Sequence, residues 1–262
     1  MYEDLRWLGL NWDEGPDLSG PFAPYSQSER RNVYLEAWRR LRDSGLIYPC
    51  TCSRKDLERA LSAPHEEPQS TWSAGALACE QNSSAQPGAA TLQSVADDEL
   101  PYPGTCRGRI ATARDYDSPA GVSWRFRVPD GETISFHDGH YGPQQFVAGR
   151  DFADFLLWRR DDIPAYQLAV VADDAAMQIT EVVRGADLLK STARQLLLIR
   201  ALNYPTPAYF HCRLLRDEKN IRLAKRHDAL SLRKLREQGV RPEELRDRFQ
   251  KEMRDLSGPA LK

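Results

Sequence analysis

No stretch of this chain approaches the roughly 18 consecutive apolar residues that a membrane helix requires, so no spanning helix is expected. The first residues, MYEDLRWLGL, hold neither a basic run nor a long apolar segment, so no secretory leader is read there. The expected compartment is the cytoplasm. Charge of one sign is also missing. Lys plus Arg number 36 and Asp plus Glu 38, a net charge of −2. No global field advertises a nucleic-acid partner, although a local basic face stays compatible with that total. Cysteine is scarce and odd in number: Cys50, Cys52, Cys79, Cys106 and Cys212. An odd count argues against a complete disulfide framework and leaves metal ligation or plain core thiols. There is no internal repeat.

What is present is an ordinary globular balance, 41% hydrophobic and 28% charged over 262 residues. That is enough for one large or two small domains. Residues 2–10 carry Leu5, Trp7 and Leu8 at helical spacing, with no cap residue before them, so the chain reads as opening inside a helix. Gly15-Pro16 and Gly20-Pro21 mark turns. A helix is expected from about Ser28 to Ser44. Ser28 would cap it, Val33, Tyr34, Ala37, Trp38 and Leu41 form one face, and Gly45 sits at the C′ position. Residues 61–100 are rich in Ser, Ala, Pro, Gln and Gly and poor in large apolar side chains. Such a composition buries too little surface to offset its ordering entropy, so a flexible insertion is expected at about 62–99. Limited proteolysis should cut there first; resistance of that segment while its flanks are cleaved would refute the reading. Strands are expected at Val122–Val128, Ile134–His137 and Phe155–Trp158. Ala165–Ala172 is nearly all apolar, as in a strand covered on both faces. A helix is expected at about Asp187–Leu202, and an amphipathic one at Pro242–Leu256 with Leu245, Phe249, Met253 and Leu256 on one face.

Three constellations carry possible chemistry. Cys50-Thr51-Cys52 places two thiols one residue apart, and Tyr102-Pro103-Gly104-Thr105-Cys106 adds a third. Thiolates suit zinc, yet spacing alone favours the plainer reading of buried thiols beside a turn. Arg184 follows two valines and precedes Gly185-Ala186-Asp187, which places a guanidinium at the end of a buried strand. An Arg there points toward a carboxyl-end crevice and can hold a carboxylate bidentately. Tyr166 offers a hydroxyl for a substrate amine or carboxylate, or is a core aromatic with a wet hydroxyl. Asp187 reads as a helix cap. Asp173-Asp174 could touch substrate or form a turn. Arg222-Leu223-Ala224-Lys225-Arg226 is a basic pentamer that by composition suits a solvated turn.

In order, these segments resemble the glutamyl-tRNA synthetase family of class I aminoacyl-tRNA synthetases, and within it the short glutamyl-queuosine branch. The resemblance rests on YEDLRWLGLNWDEGP, PYSQSERRNVY, YPCTCSR, YPGTC, AYQLAVV, VVRGADLL and RLAKRHDALSLRKLREQG, and spans nearly the whole chain. It implies an α/β fold, a class I Rossmann-like catalytic core with an inserted zinc-binding subdomain and a helical C-terminal end. It implies zinc held by Cys50, Cys52, Tyr102 and Cys106, across a longer interval than that family's usual one, which costs little closure entropy. Cys79 matches nothing, and Cys212 reads as a core thiol. Tyr166 and Arg184 are implied to bind glutamate. Lys225 is implied as the catalytic lysine of the second signature loop and, with Arg222, as a ligand of ATP, itself used with Mg2+. In that loop Arg222 stands for a lysine and Ala224 for a serine. The implied reaction activates glutamate with ATP and attaches it to the queuosine base in the anticodon of tRNA(Asp). A monomer is expected.

The first signature of that family, Pro-Ser-Pro-Thr-Gly…Leu-His-x-Gly on the first strand and helix, has no counterpart here. The implied core therefore lacks its first βα segment, as in a truncated chain. The expected divisions are 1–49 (remainder of the N-terminal catalytic half), 50–120 (zinc-binding insertion), 121–215 (second catalytic half) and 216–262 (signature loop and helical end). Two alternatives remain: a non-catalytic paralogue that binds zinc and tRNA, and a fragment of a glutamyl-tRNA synthetase.

Overall fold

The computed structural model describes residues 2–62, 102–214 and 231–256. The expected insertion at 62–99 and the basic loop with Arg222 and Lys225 thus lie almost wholly outside the described residues. The chain divides into two compact units, residues 32–211 and residues 1–31 with 212–262.

In order along the chain, helices α1 (Tyr2–Trp7) and α2 (Arg31–Asp43) precede strand β1 (Ile47–Cys50) and helix α3 (Arg54–Ser62). A 3-10 run at Arg107–Asp115 leads to β2 (Ser123–Phe126), β3 (Thr133–Asp138), β4 (Gly142–Val147) and β5 (Phe155–Trp158). Then come α4 (Tyr166–Ala176), β6 (Glu181–Gly185), α5 (Leu189–Leu202), β7 (Ala208–Cys212), α6 (Leu232–Glu237) and α7 (Pro242–Leu256). The described strands form two sheets, β1-β2-β5 and β4-β3-β7-β6. β2 pairs antiparallel with both β1 and β5. β3 and β4 form a hairpin from Thr133↔Val147 to Asp138↔Gly142, and β3 runs parallel to β7, with Asp138 opposite Tyr209.

The face predicted for α2 is the buried one: Tyr34, Ala37, Trp38 and Leu41 are fully enclosed. Trp124 of β2 meets Trp38 edge-on at 5.0 Å and Tyr116 at 5.3 Å, the geometry that aromatic quadrupoles favour. The helix ends as its sequence requires. Gly45 takes φ +70°, and the N–H groups of Gly45 and Leu46 donate to the carbonyls of Arg42 and Leu41, a Schellman closure. Its start differs from expectation. Ser28 lies in a separate 3-10 turn, Gln27–Glu29, and α2 begins at Arg31. Arg30 is buried between the two turns and donates to the carbonyls of Phe22 and Pro24 at 3.1 and 2.8 Å. Ser28 therefore sits inside the 3-10 turn and not at the start of α2.

The segment 165–172 is a helix, not a strand. The helix runs on past Asp173, and Leu168, Ala169, Val171 and Ala172 are all buried. A short run buried on most sides gives no period to distinguish the two states. Asp173 and Asp174 accordingly lie near the end of α4 rather than in a turn between strands. Asp173 accepts the Tyr34 hydroxyl on both oxygens, at 3.0 and 2.9 Å, tying α4 to α2. Tyr34→Phe leaves this buried carboxylate short of a donor and should cost about 1–3 kcal/mol in urea unfolding. An unchanged midpoint would discount the tie. Asp187 does not cap α5: a 3-10 turn at Ala186–Leu188 runs into the helix, and no side chain caps it.

In the other unit, α7 buries Leu245 but leaves Phe249 exposed. Arg236 of α6 pairs with Glu3 and Asp4 of α1 at 3.2 and 3.3 Å. Ser231 caps α6, its hydroxyl accepting the Lys234 N–H at 3.3 Å. Among the described residues no helix is long and apolar enough to cross a membrane.

Candidate functional site

Two groups of side chains stand out. The first lies at the end of β1, a strand buried at all four positions. The Cys50, Cys52 and Cys106 sulfurs all lie within 4.8 Å of one another. Cys52 Sγ and Cys106 Sγ are 3.6 Å apart, and the Tyr102 hydroxyl lies 3.5 Å from Cys50 Sγ and 3.9 Å from Cys52 Sγ. A tetrahedral zinc ion with bonds of about 2.3 Å to sulfur and about 2.0 Å to oxygen sets ligand separations of about 3.5–3.8 Å. The four side chains picked out in the sequence thus meet at spacings that fit zinc.

The electrostatics of the group favour thiolate at one position. Burial raises the Cys106 thiol, but the Thr51 backbone and hydrogen bonds from Tyr102, Cys52 and Cys50 outweigh it and bring it down to about 7. Burial and the bond to Cys106 push Cys52 up to about 11. Burial, with the bond to Cys50, raises Tyr102. The Tyr102 oxygen accepts the Cys106 N–H at 2.7 Å, which fixes the ring.

A shell missed by sequence reading surrounds this group. The Arg125 guanidinium lies 3.9 Å from the Tyr102 ring centroid. Asp154 is buried and accepts the Tyr48 hydroxyl at 2.6 Å and the Val128 N–H at 2.9 Å, while its carbonyl accepts Arg125. Arg107, directly after Cys106, pairs with Asp154 at 2.9 Å and also with Asp130. These links join residues tens of positions apart and leave no local pattern; the sequence signal at Arg125 is a charge between the aromatic residues Trp124 and Phe126.

The second group surrounds Arg184, near the C-terminal end of β6. That strand is not the buried one expected: it lies at the edge of its sheet, none of its residues is buried, and Val183 is 62% exposed. Arg184 Nε donates to His211 Nε2 at 3.1 Å, and Nη2 donates to Thr192 Oγ1 at 2.7 Å. Its guanidinium stands 5.3 Å from the Tyr209 ring centroid. His211 and Asp138 are both fully buried, with His211 Nδ1 2.6 Å from Asp138 Oδ2. Asp174 of α4 faces Arg184 and Tyr209 electrostatically. Burial pushes Asp174 up to about 6, opposed by Arg184, and burial likewise raises Tyr209 to about 12. Tyr166 is in the first turn of α4 and half exposed. No hydrogen bond joins it to Arg184 among the described residues. Cys212 is exposed, not a core thiol.

Comparison with known proteins places these groups in a class. Over 87% of its length the chain is similar to glutamate–tRNA ligase crystal structures from Elizabethkingia meningosepticum and Elizabethkingia anophelis. The TM-scores are 0.58 and 0.59, each at 23% identity and over 42% of the other chain. The fold is the mixed α/β fold of a class I synthetase catalytic domain. Residues 1–251 match the family described as tRNA synthetases class I (E and Q), catalytic domain, and the chain belongs to that family. It is 44% identical to the glutamyl-Q tRNA(Asp) synthetases of Symbiobacterium thermophilum and Nitratidesulfovibrio vulgaris, over 92% and 90% of this chain. It is 39% identical to glutamate–tRNA ligase 2 of Nitrosococcus oceani over 94%. The chain spans 66% and 64% of the two former relatives and 46% of the last.

Proposed function

We propose that this chain carries the greater part of an enzyme that activates glutamate with ATP and transfers it to the queuosine base in the anticodon of tRNA(Asp). The observation that carries this reading is the gradient of similarity within the family. Identity is 44% to the glutamyl-Q tRNA(Asp) synthetases and 33–39% to the glutamate–tRNA ligases. In this reading Arg184 grips a glutamate carboxylate through its planar fork, and Tyr166 hydrogen-bonds the amine or the carboxylate. The α-carboxylate attacks the α-phosphate of ATP, and the bond to pyrophosphate breaks. Lys225 and Arg222 balance the charge that builds on those phosphates, with Mg2+ accompanying ATP. The adenylate then passes its glutamyl group to queuosine, and AMP leaves. Cys50, Cys52, Cys106 and the Tyr102 oxygen would hold zinc, and its chemistry there would be structural, a cross-link between β1 and the segment at Tyr102. The enzyme works as a monomer in the cytoplasm.

The test supplies ATP and labelled glutamate to the protein, with any upstream coding sequence included. Three acceptors are compared: queuosine-containing tRNA(Asp), the same tRNA without queuosine, and tRNA(Glu). Label confined to the first supports the assignment. Label on tRNA(Glu) points instead to a glutamate–tRNA ligase, and no label on any acceptor points to a non-catalytic paralogue.

A further inference from the structure

His211 and Asp138 are the most deeply buried ionisable pair that the proposed chemistry leaves unused, both at 0% exposure. Asp138 closes the β3–β4 hairpin. Its Oδ1 accepts the N–H groups of His140 and Tyr141 at 3.0 and 2.8 Å, and its Oδ2 accepts the His211 N–H at 3.1 Å. Burial works to raise this carboxyl, but the His211 ring and those backbone donors hold it below the usual carboxylate range. Asp138 is therefore an acceptor only, and the 2.6 Å contact requires a proton on His211 Nδ1. In a neutral imidazole that leaves the Nε2 lone pair, which faces Arg184 Nε at 3.1 Å and Thr192 Oγ1 at 3.2 Å. The geometry thus carries an orientation from Asp138 through the ring to the guanidinium. Charge is not carried along with it. A carboxylate placed directly on Arg184 would fill the fork that a substrate carboxylate needs, whereas a neutral ring holds the Nε edge and adds no negative charge there. Arg184 Nη1 makes no hydrogen bond among the described residues.

We propose that Asp138 and His211 are positioning residues for substrate recognition: together they lock the Arg184 guanidinium with its Nη1 side presented to the glutamate carboxylate. The proposal rests on the reading of Arg184 as the carboxylate ligand. It also has a pH signature. Around His211 stand Asp138 on β3, Arg184 on β6, Thr192 on α5 and Tyr209 on β7, with Asp174 on α4 acting through Arg184. Burial, the largest influence, holds His211 below its ordinary value, with Arg184 acting in the same direction and Asp138 opposing. When the ring does gain a proton at acid pH, Nε2 ceases to accept and a second cation faces the guanidinium, so glutamate binding weakens.

The test is the KM for glutamate in ATP–pyrophosphate exchange, with any upstream coding sequence included. His211→Leu should raise it about 10- to 100-fold, as expected for a lost hydrogen bond to a charged group, with the KM for ATP unchanged. His211→Gln, whose amide oxygen can replace the Nε2 acceptor, should restore most of the loss. His211→Leu combined with Arg184→Lys should add little to Arg184→Lys alone, because the two act on one contact. The acid-side rise in KM should vanish in His211→Gln; persistence would assign it to Asp174 and overturn the proposal. A wild-type KM in His211→Leu, beside a raised one in Arg184→Lys, overturns the relay and leaves the pocket standing. An unchanged KM in Arg184→Lys overturns both. If His211→Leu does not fold, the nitrogen-15 resonances of His211 in the unaltered protein decide: a proton on Nδ1 is required, and a proton on Nε2 refutes the relay.

Discussion

The purified protein is expected to carry one zinc ion per chain, and Cys50→Ser is expected to lose it. Thiolate sites of this kind bind zinc with about 10–16 kcal/mol in zinc-finger peptides, and much of that becomes folding free energy when the site forms only in the folded chain. Here the ion would join the end of β1 to the segment beginning at Tyr102. A loss of even about 3 kcal/mol lowers the melting temperature of a chain this size by about 6–12 °C. Elemental analysis and thermal unfolding of the wild type, Cys50→Ser and Cys212→Ser make the comparison. Cys212 is exposed and outside the cluster, so its variant should keep the metal. A metal-free wild type whose stability equals that of Cys50→Ser would sink the assignment. Chelation should be harder to reverse at low pH, because the thiols must lose protons to bind; Cys106, brought down to about 7, loses its proton near neutral pH, whereas Cys52, pushed up to about 11, keeps its proton until a metal displaces it.

Arg184→Lys is expected to raise the KM for glutamate by about 10- to 100-fold while the KM for ATP stays put. An ammonium keeps the charge but can copy neither the planar fork nor the donation from Nε to His211. The magnitude follows from losing one charge-assisted hydrogen bond at about 1.5–3 kcal/mol. Measured in the same exchange assay, unchanged glutamate kinetics would remove Arg184 from the pocket. A parallel loss of melting temperature would show that the residue serves the fold instead, since Thr192 and Tyr209 also lean on it.

Much of this site was legible in the sequence where the signal was local. Cys50-x-Cys52 and Tyr102…Cys106 are short motifs, and short motifs survive as geometry whatever joins them. Arg184 was legible as an Arg closing a strand, although the two valines before it line an edge strand rather than the buried one expected. The buried face of α2 followed from helical spacing, and its closure from Gly45. The misses share a cause. Ala165–Ala172 is apolar at nearly every position, so neither the two-residue nor the 3.6-residue period could assert itself, and a helix was read as a strand. Ser28 lost its cap role to a separate 3-10 turn, and Asp187 to a 3-10 entry into α5. Neither is written in a window of a few residues. His211 and Asp138 are 73 positions apart. Each looks like an ordinary polar residue in its own strand, and only the parallel pairing of β3 with β7 makes them partners.

That pairing has an implication for how variants of this protein will behave. Asp138 fastens the backbone of the hairpin turn, the backbone of β7 and a ring nitrogen with a single carboxylate. With Arg184 as the proposed carboxylate ligand, fold and selectivity would be inherited together. A lineage cannot reshape the turn at Gly139–Tyr141 by drifting away from Asp138 without also loosening its hold on β7. Random libraries screened only for expression would therefore deplete Asp138 variants before any screen for amino-acid preference could see them. Attempts to alter that preference are better begun at Thr192, whose hydroxyl accepts from the guanidinium; Tyr209 also stands by the guanidinium, but its carbonyl holds the Gly139 N–H of the hairpin turn at 2.8 Å.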